Sequence, residues 1–262
     1  IKKNLKNNYL KLVHVESGLR SFDKYMPEEI NRIISDQVSD ILLTPTNLTK
    51  KNIINENIDK KKIFVTGNTI VDVVKNNIKI LKKKKKFNIE GIKDKNYILV
   101  TLHRPETVDN IIRLKKLINT FDKLIKIHKL PIIWPVHPRT KKNLKKFFKS
   151  KKSKIKLINP LGYFNFLALQ KNAKLILTDS GGVQEEACIL KVPCVTLRNS
   201  TERPETVQIK SNIVSGYKEK IILENVKKML FKKISWNNPF GDGNISHKIL
   251  RVLKKELKNK KK

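Results

Sequence analysis

Three acid–base side chains and one glycine pair are the residues of this sequence best placed to do chemistry. Glu16 follows the apolar stretch 10–15, Glu28 sits in Pro27-Glu28-Glu29, and His103 follows the apolar stretch 97–101. Each falls at a strand end or a helix start. Two carboxylates on one half and an imidazole on the other suit proton transfer on opposite faces of a sugar ring. Plain structural readings stand beside this one. Glu28 also complements a helix dipole, and His103 also fits a hydrogen-bonded turn. His14, inside a strand, reads as a satisfied core residue.

Thr178-Asp179-Ser180-Gly181-Gly182 lies between a strand and a helix. Its glycines allow close backbone approach, and a helix N-terminus offers unpaired N–H groups and a positive dipole. That suits a phosphate or pyrophosphate and equally a tight turn with a Ser N-cap. No Gly-Lys-Ser/Thr follows and the spacing is not GxGxxG. Glu185 and Glu186, one to two turns into the helix, suit ribose hydroxyls or a solvated helix face. Arg203, in Thr201-Glu202-Arg203-Pro204-Glu205, suits a second anion clamp or a surface ion pair.

The elements that position these groups alternate. Strands are expected at 10–15, 41–43, 63–65, 97–101, 131–136, 155–158, 175–178, 192–197 and 212–214. Helices are expected at 27–39, 47–55, 70–82, from 109, 141–148, 163–171, from 181 through 190, and twice more near the end. This predicts an α/β fold with parallel sheets and helices on both faces. Ligands in such folds bind beyond the C-terminal strand ends. Expected boundaries are residues 1–75 for a first Rossmann-like domain, 76–235 for a second, and 236–262 for a C-terminal helix packing back on the first.

The 262 residues carry a formal charge of +35. Of the 58 basic residues only 8 are Arg, and Ala occurs 3 times. Lys is spread along the chain without Arg clusters or interleaved aromatics, so nucleic-acid binding is not expected. Compositional drift toward Lys accounts for the charge, including the 82–86 run and the tail. Arginines that survive such drift are those whose planar fork matters; Arg20, Arg32, Arg104, Arg198 and Arg203 all sit in Pro/Gly/Glu-punctuated stretches. Cys188 and Cys194 form no disulfide framework or metal set, which suits a cytoplasmic protein. No apolar run is long enough to span a bilayer. The opening Ile1-Lys2-Lys3-Asn4-Leu5 lacks both an initiator Met and a signal-peptide h-region.

Seven stretches in order resemble the non-hydrolysing UDP-N-acetylglucosamine 2-epimerase family: 14–20 (HVESGLR), 27–32 (PEEINR), 66–69 (TGNT), His103-Arg104, 178–186 (TDSGGVQEE), 201–205 (TERPE) and 238–243 (NPFGDG). The resemblance implies a GT-B-like pair of Rossmann-type domains with the nucleotide sugar in the cleft between them. It implies UDP-GlcNAc ⇌ UDP-ManNAc by elimination and re-addition of UDP through 2-acetamidoglucal, with no cofactor and no metal. On this resemblance Ser180, Gly181, Gly182 and Arg203 hold the diphosphate, Glu186 the ribose, and Leu161 and Phe166 the uracil side. Glu16, Glu28 and His103 match acid–base and sugar-contacting positions, and Arg32 a conformation-sensitive position beside them. The family also implies a homodimer feeding surface polysaccharide. Its members carry an earlier strand, a Gly-Thr-Arg-Pro-Glu-type loop and a further Asp before the point where this sequence starts. The expectation is therefore an incomplete N-terminal domain and an inactive isolated piece. Lys191 and Lys210 stand where Gly-like loop residues are expected. Other readings are an epimerase of UDP-2,3-diacetamido uronic acid, a GT-B glycosyltransferase and a basic nucleic-acid-binding protein.

Overall fold

The computed structural model describes residues 10–83, 93–137, 140–144 and 154–258. Parts of the expected 141–148 helix, the 82–86 lysine run and the tail lie outside these residues, as does Arg139. The chain divides into two units, Ile1–Val73 with Pro239–Lys262, and Val74–Asn238.

The first unit holds three parallel strands, β1 (Val13–Val15), β2 (Ile41–Thr44) and β3 (Ile63–Val65), in the order β1-β2-β3. His14 aligns with Leu42, and Leu43 with Phe64. The middle strand is buried throughout and packs with Ile53 and Ile63. Helix Pro27–Val38 starts as its sequence dictates, with Pro at its start and Glu28 and Glu29 in the first turn. Helix Asn47–Asn55 starts on a reciprocal Thr46–Thr49 capping box.

The last helix of this unit, Ile245–Lys258, is fastened by one carboxylate. Asp72 accepts from Ile245 N at 3.0 Å, Ser246 N at 2.8 Å and Ser246 Oγ at 2.7 Å. Asn68 N donates to Phe240 O at 2.8 Å. Gly67 sits beneath this segment at φ +99°, where a Cβ would stand 2.4 Å from Ile245 Cδ1. Only glycine meets both conditions.

The second unit is a six-stranded parallel sheet of β4 (Ile98–Thr101), β5 (Ile132–Pro135), β6 (Ile155–Ile158), β7 (Leu175–Thr178), β8 (Cys194–Thr196) and β9 (Asn212–Val214). Its order is β6-β5-β4-β7-β8-β9, that of a doubly wound nucleotide-binding sheet. Alternate residues of β4 enter two cores. Ile98 and Val100 face helices Ile111–His128 and Glu219–Leu230, while Leu99 packs with Leu169, Val183 and Ala187 of the helices on the other face. β4 and β7 are buried at every position, as strands covered on both faces must be. Their connections depart in opposite directions, so the switch point lies between them.

Lys191 and Lys210 occupy left-handed backbone, at φ 59° and 61°. Each closes a helix in the same way. Val192 N bonds Ala187 O and Lys191 N bonds Cys188 O, while Ser211 N bonds Thr206 O and Lys210 N bonds Val207 O. This is the Schellman pattern, whose left-handed residue is usually glycine. The Gly-like character expected of both positions is thus real, and lysine occupies them at a steric cost. A left-handed L-residue costs about 1–2 kcal/mol, and glycine returns about 0.5–1 kcal/mol of that as unfolded-state entropy. Lys210→Gly is expected to stabilise the unit by about 0.5–1 kcal/mol, read as an upward shift of the urea midpoint. Lys191→Gly gains less, because the Lys191 ammonium bonds Trp236 O and lies 5.9 Å from that ring's centre.

Candidate functional site

At the switch point, the ends of β4 and β7 are joined by two hydroxyls, Thr101 Oγ1 and Thr178 Oγ1, 2.7 Å apart. Just beyond them Asp179 is completely buried. Its carboxylate accepts from His103 N at 3.2 and 3.1 Å, and from Arg104 N at 3.0 Å. The His103 ring approaches the same carboxylate, with Nδ1 3.2 Å from Oδ1. The ring itself is 46% exposed. His103 is therefore both the hydrogen-bonded turn residue and a candidate acid–base group. Arg104 closes the arrangement, with Nε donating to Asp179 O at 3.1 Å.

Helix Gly181–Ile189 starts here, capped by Ser180 Oγ, which accepts from Val183 N at 3.5 Å. The two glycines do different work. A Cβ on Gly181 would stand 2.4 Å from Glu202 Oε1, whereas a Cβ on Gly182 would meet nothing within 4 Å. Gly181 admits a protein side chain, and Gly182 is exposed, with open space where a side chain would stand. Glu202 is held by Arg198 Nη1 at 2.7 Å and Arg104 Nη2 at 3.3 Å. Burial alone would raise its carboxyl, but Arg198 and Arg203 outweigh that and hold it at about 2.

Arg203 is buried too. Its Nε lies 2.5 Å from Glu185 Oε1, and its Nη1 donates to Glu202 O at 3.3 Å. This corrects two alternatives open in the sequence. The Arg203 pair is not a surface pair, and Glu185 and Glu186 do not lie on a solvated face, because the helix is wedged against its neighbours. Glu186 accepts from Gln170 Nε2 at 2.5 Å and from the Tyr163 hydroxyl, while burial pushes its carboxyl up. Tyr163, Phe166 and Gln170 lie three and four residues apart on helix Tyr163–Asn172, and so share a face. Leu161 and Phe166 pack on the cluster that contains Val183.

In the first unit Glu16 leaves the end of β1 in left-handed backbone, φ 64°. For a residue other than glycine this is strain of the kind that gathers at functional sites. Thr69 Oγ1 donates to Glu16 Oε1 at 2.7 Å. The four following residues, Ser17 to Arg20, are buried. Asp36 pins them by accepting from Gly18 N at 3.1 Å and Arg20 Nη2 at 2.6 Å, and its other oxygen lies 2.6 Å from His14 Nδ1. His14 is thus satisfied, as expected, but half-buried and not a core residue. Arg20 also grips both oxygens of Glu56 at 2.6 Å, which is the bidentate fork that its survival among lysines suggested. Glu28 is exposed in the first helical turn. Buried Glu29 accepts from Ser21 N and Phe22 N, both at 2.9 Å, and from Arg32 Nη1 at 3.3 Å.

Sequence reasoning gave no role to Asp36, Glu29, Glu56, Gln170 or Asp179. All are polar groups that satisfy loop donors or another side chain, and only long-range pairing reveals that. Gln170 lies three residues after Leu167, a spacing that marks the buried face of its helix and the one available signal. Among the described residues, no group of three His, Cys, Asp or Glu is placed to hold a metal, and no helix is long and apolar enough to cross a membrane.

A doubly wound sheet with a glycine-bearing helix N-terminus at its switch point is the arrangement of a nucleotide-binding α/β protein. The family model described as UDP-N-acetylglucosamine 2-epimerase matches residues 6–254, and the chain belongs to that family. It is 53% identical over 251 residues to the UDP-N-acetylglucosamine 2-epimerase of Methanocaldococcus jannaschii, covering 92% of this chain and 68% of the relative. A crystal structure of the UDP-GlcNAc 2-epimerase from that organism, in complex with UDP-GlcNAc and UDP, superposes with a TM-score of 0.84 over 93% of this chain and 68% of that one, at 51% identity. The UDP-2,3-diacetamido-2,3-dideoxy-D-glucuronate 2-epimerase of Pseudomonas aeruginosa is 36% identical over 248 residues, covering 94% of this chain and 69% of the relative.

Glu202 provides a stability test of the second unit. Its lowered carboxyl contributes stability that is complete above the ordinary carboxylate range and is lost as pH falls toward about 2. Glu202→Gln leaves buried Arg198 without its carboxylate, and breaking a buried pair of this kind costs about 3–5 kcal/mol. The loss is expected in full at pH 7, measured by urea denaturation. The gap to the unaltered protein is expected to narrow steadily between about pH 4.5 and pH 2.

Proposed function

We propose that this protein interconverts UDP-GlcNAc and UDP-ManNAc. The observation that carries the reading is the open helix N-terminus at Gly182, set at the sheet's switch point with buried Arg203 in the loop after the next strand. Family membership and the UDP and UDP-GlcNAc held by a relative of 51% identity support it. The lower identity to the diacetamido-uronate epimerase favours the simpler sugar.

Breaking the bond from sugar carbon 1 to the diphosphate oxygen sends the electron pair to UDP. The helix end at Gly181 and Gly182, capped by Ser180, and the Arg203 guanidinium meet that charge as it develops. The proton on carbon 2 leaves in the same elimination, giving 2-acetamidoglucal. UDP then re-adds to carbon 1 while a proton arrives on the other face of carbon 2. Glu16, Glu28 and His103 are the groups we assign to these transfers, with Arg32, paired to Glu29, as a conformation-sensitive group of the same unit. Glu186, backed by Gln170 and Tyr163, holds the ribose, and Leu161 and Phe166 the uracil side. The reaction calls for neither redox cofactor nor metal. In this reading the protein works as a cytoplasmic homodimer whose product feeds surface polysaccharide.

In D₂O, UDP-GlcNAc incubated with the protein as the cell makes it is expected to gain deuterium at carbon 2 in both epimers, followed by NMR. A folded protein that gives neither exchange nor UDP-ManNAc sinks the proposal, and turnover only of the diacetamido uronate moves it to the sister reaction. Glu16→Gln is expected to suppress exchange with the thermal midpoint retained. Gly182→Ala separates site from scaffold. Alanine is the better helix former by up to about 1 kcal/mol and its methyl meets no protein atom. Stability is expected to hold or rise while UDP affinity, by calorimetry, falls at least tenfold.

A further inference from the structure

The Glu16 carboxylate is held from outside its own strand. β1 and β3 are not neighbours, since β2 lies between them. The loops that leave them nevertheless meet, because Glu16 swings out in left-handed backbone and Thr69 reaches it from the Thr66–Thr69 turn after β3. Both sides of that meeting are braced. The Glu16 side is pinned to Asp36 through Gly18 N and to β2 through Ser17 N, which donates to Leu43 O at 3.1 Å. The Thr69 side is tied to β2 by Thr66 N, which donates to Thr44 O at 3.0 Å. It is tied to the C-terminal segment by Asn68 N on Phe240 O and by Gly67 beneath Ile245. With two anchored loops, the hydroxyl–carboxylate contact is a fixed feature of the sheet edge, not a passing surface bond.

We propose that Thr69 is a positioning residue for proton transfer: its hydroxyl donates to Oε1 of Glu16, fixes the carboxylate's orientation, and leaves Oε2 to exchange the proton with the substrate. The proposal rests on the epimerase reading above. Thr69 forms and breaks no bond in the reaction. It acts on the geometry of Glu16, so its loss slows chemistry without weakening the hold on UDP, whose anchors lie in the other unit's sequence. The strain at Glu16 fits this role. A side chain launched from left-handed backbone has few rotamers that a neighbour does not have to select.

The test compares Thr69→Val, Thr69→Ala and Thr69→Ser in the protein as the cell makes it. Valine keeps the branched shape and removes the hydroxyl, alanine removes both, and serine restores the hydroxyl alone. A hydrogen bond to a charged group carries enough energy for about 10- to 100-fold in rate. Val and Ala are expected to lower kcat and carbon-2 deuterium exchange by that factor, with KM for UDP-GlcNAc and UDP affinity within about twofold of the unaltered protein. Ser is expected to recover the rate to within about threefold. The thermal midpoint checks folding, and if Val does not fold, Ala carries the same comparison. The proposal is overturned if the hydroxyl-free variants keep kcat within twofold, if Ser is as impaired as Val, or if the loss appears in KM alone. Absence of exchange in the unaltered protein overturns the epimerase reading and this proposal with it. Exchange that is indifferent to Thr69 overturns this proposal only.

Discussion

One completely buried carboxylate, Asp179, carries the geometry of the nucleotide-binding unit. Where β4 and β7 end side by side, their loops leave in opposite directions, and each would strand backbone N–H groups inside the protein. An unpaired buried donor costs about 1–3 kcal/mol. Asp179 takes the amides of His103 and Arg104 together, and its own carbonyl takes the Arg104 side chain. The loop after β4 is thereby tied to the first residue after β7. His103, Ser180 and the glycine pair are then held in register. Without that carboxylate the switch point would be a gap between two loops.

The first unit repeats the arrangement with different residues. Asp36, also completely buried, accepts from Gly18 N, grips Arg20 and meets His14, and above it stands Glu16. In both units a side chain that reaches solvent, Glu16 or His103, rests on a turn whose amide is taken by a buried aspartate. In the proposed reaction the exposed group exchanges a proton with substrate, so it cannot also hold the turn together. The buried group can, because its oxygens face the loop amides and side chains that it holds. Placing chemistry on one residue and geometry on its neighbour lets both requirements be met at one strand end.

How much of this was legible in the sequence differs by level. Strand and helix order was readable because parallel strands covered on both faces are continuous apolar runs, and Pro27-Glu28-Glu29 and Thr46–Thr49 are local start signals. The glycine pair could be found but not divided. That Gly181 makes room for Glu202 while Gly182 faces open space depends on a residue about twenty positions later. For Arg203 and Glu186 the sequence left buried and surface roles open, because their partners, Glu185 and Gln170, are neighbours only after folding. Composition was the better guide for Arg20 and Arg198, whose forks both engage buried or half-buried carboxylates. The same drift explains Lys191 and Lys210 in left-handed turns. A lysine there costs little enough to be tolerated, whereas a lysine replacing a buried fork would leave a carboxylate half-paired.

The charge of +35 is thereby separated from the function. Nearly all of it is lysine at positions where the fold asks only for solubility, and it persists even at two turns that prefer glycine. The cations that shape the site are few, buried and mostly arginine. Arg104, Arg198 and Arg203 surround Glu202, and that cluster sets the loop carrying Arg203 against the helix carrying Gly181. A surface lysine is screened within about 8–10 Å at physiological salt. These guanidiniums, shielded from water and fixed by carboxylates, are screened much less. In the proposed reaction a diphosphate drawn toward the protein by its general positive field is placed by Arg203 and a helix end whose positions are settled by burial, not by net charge.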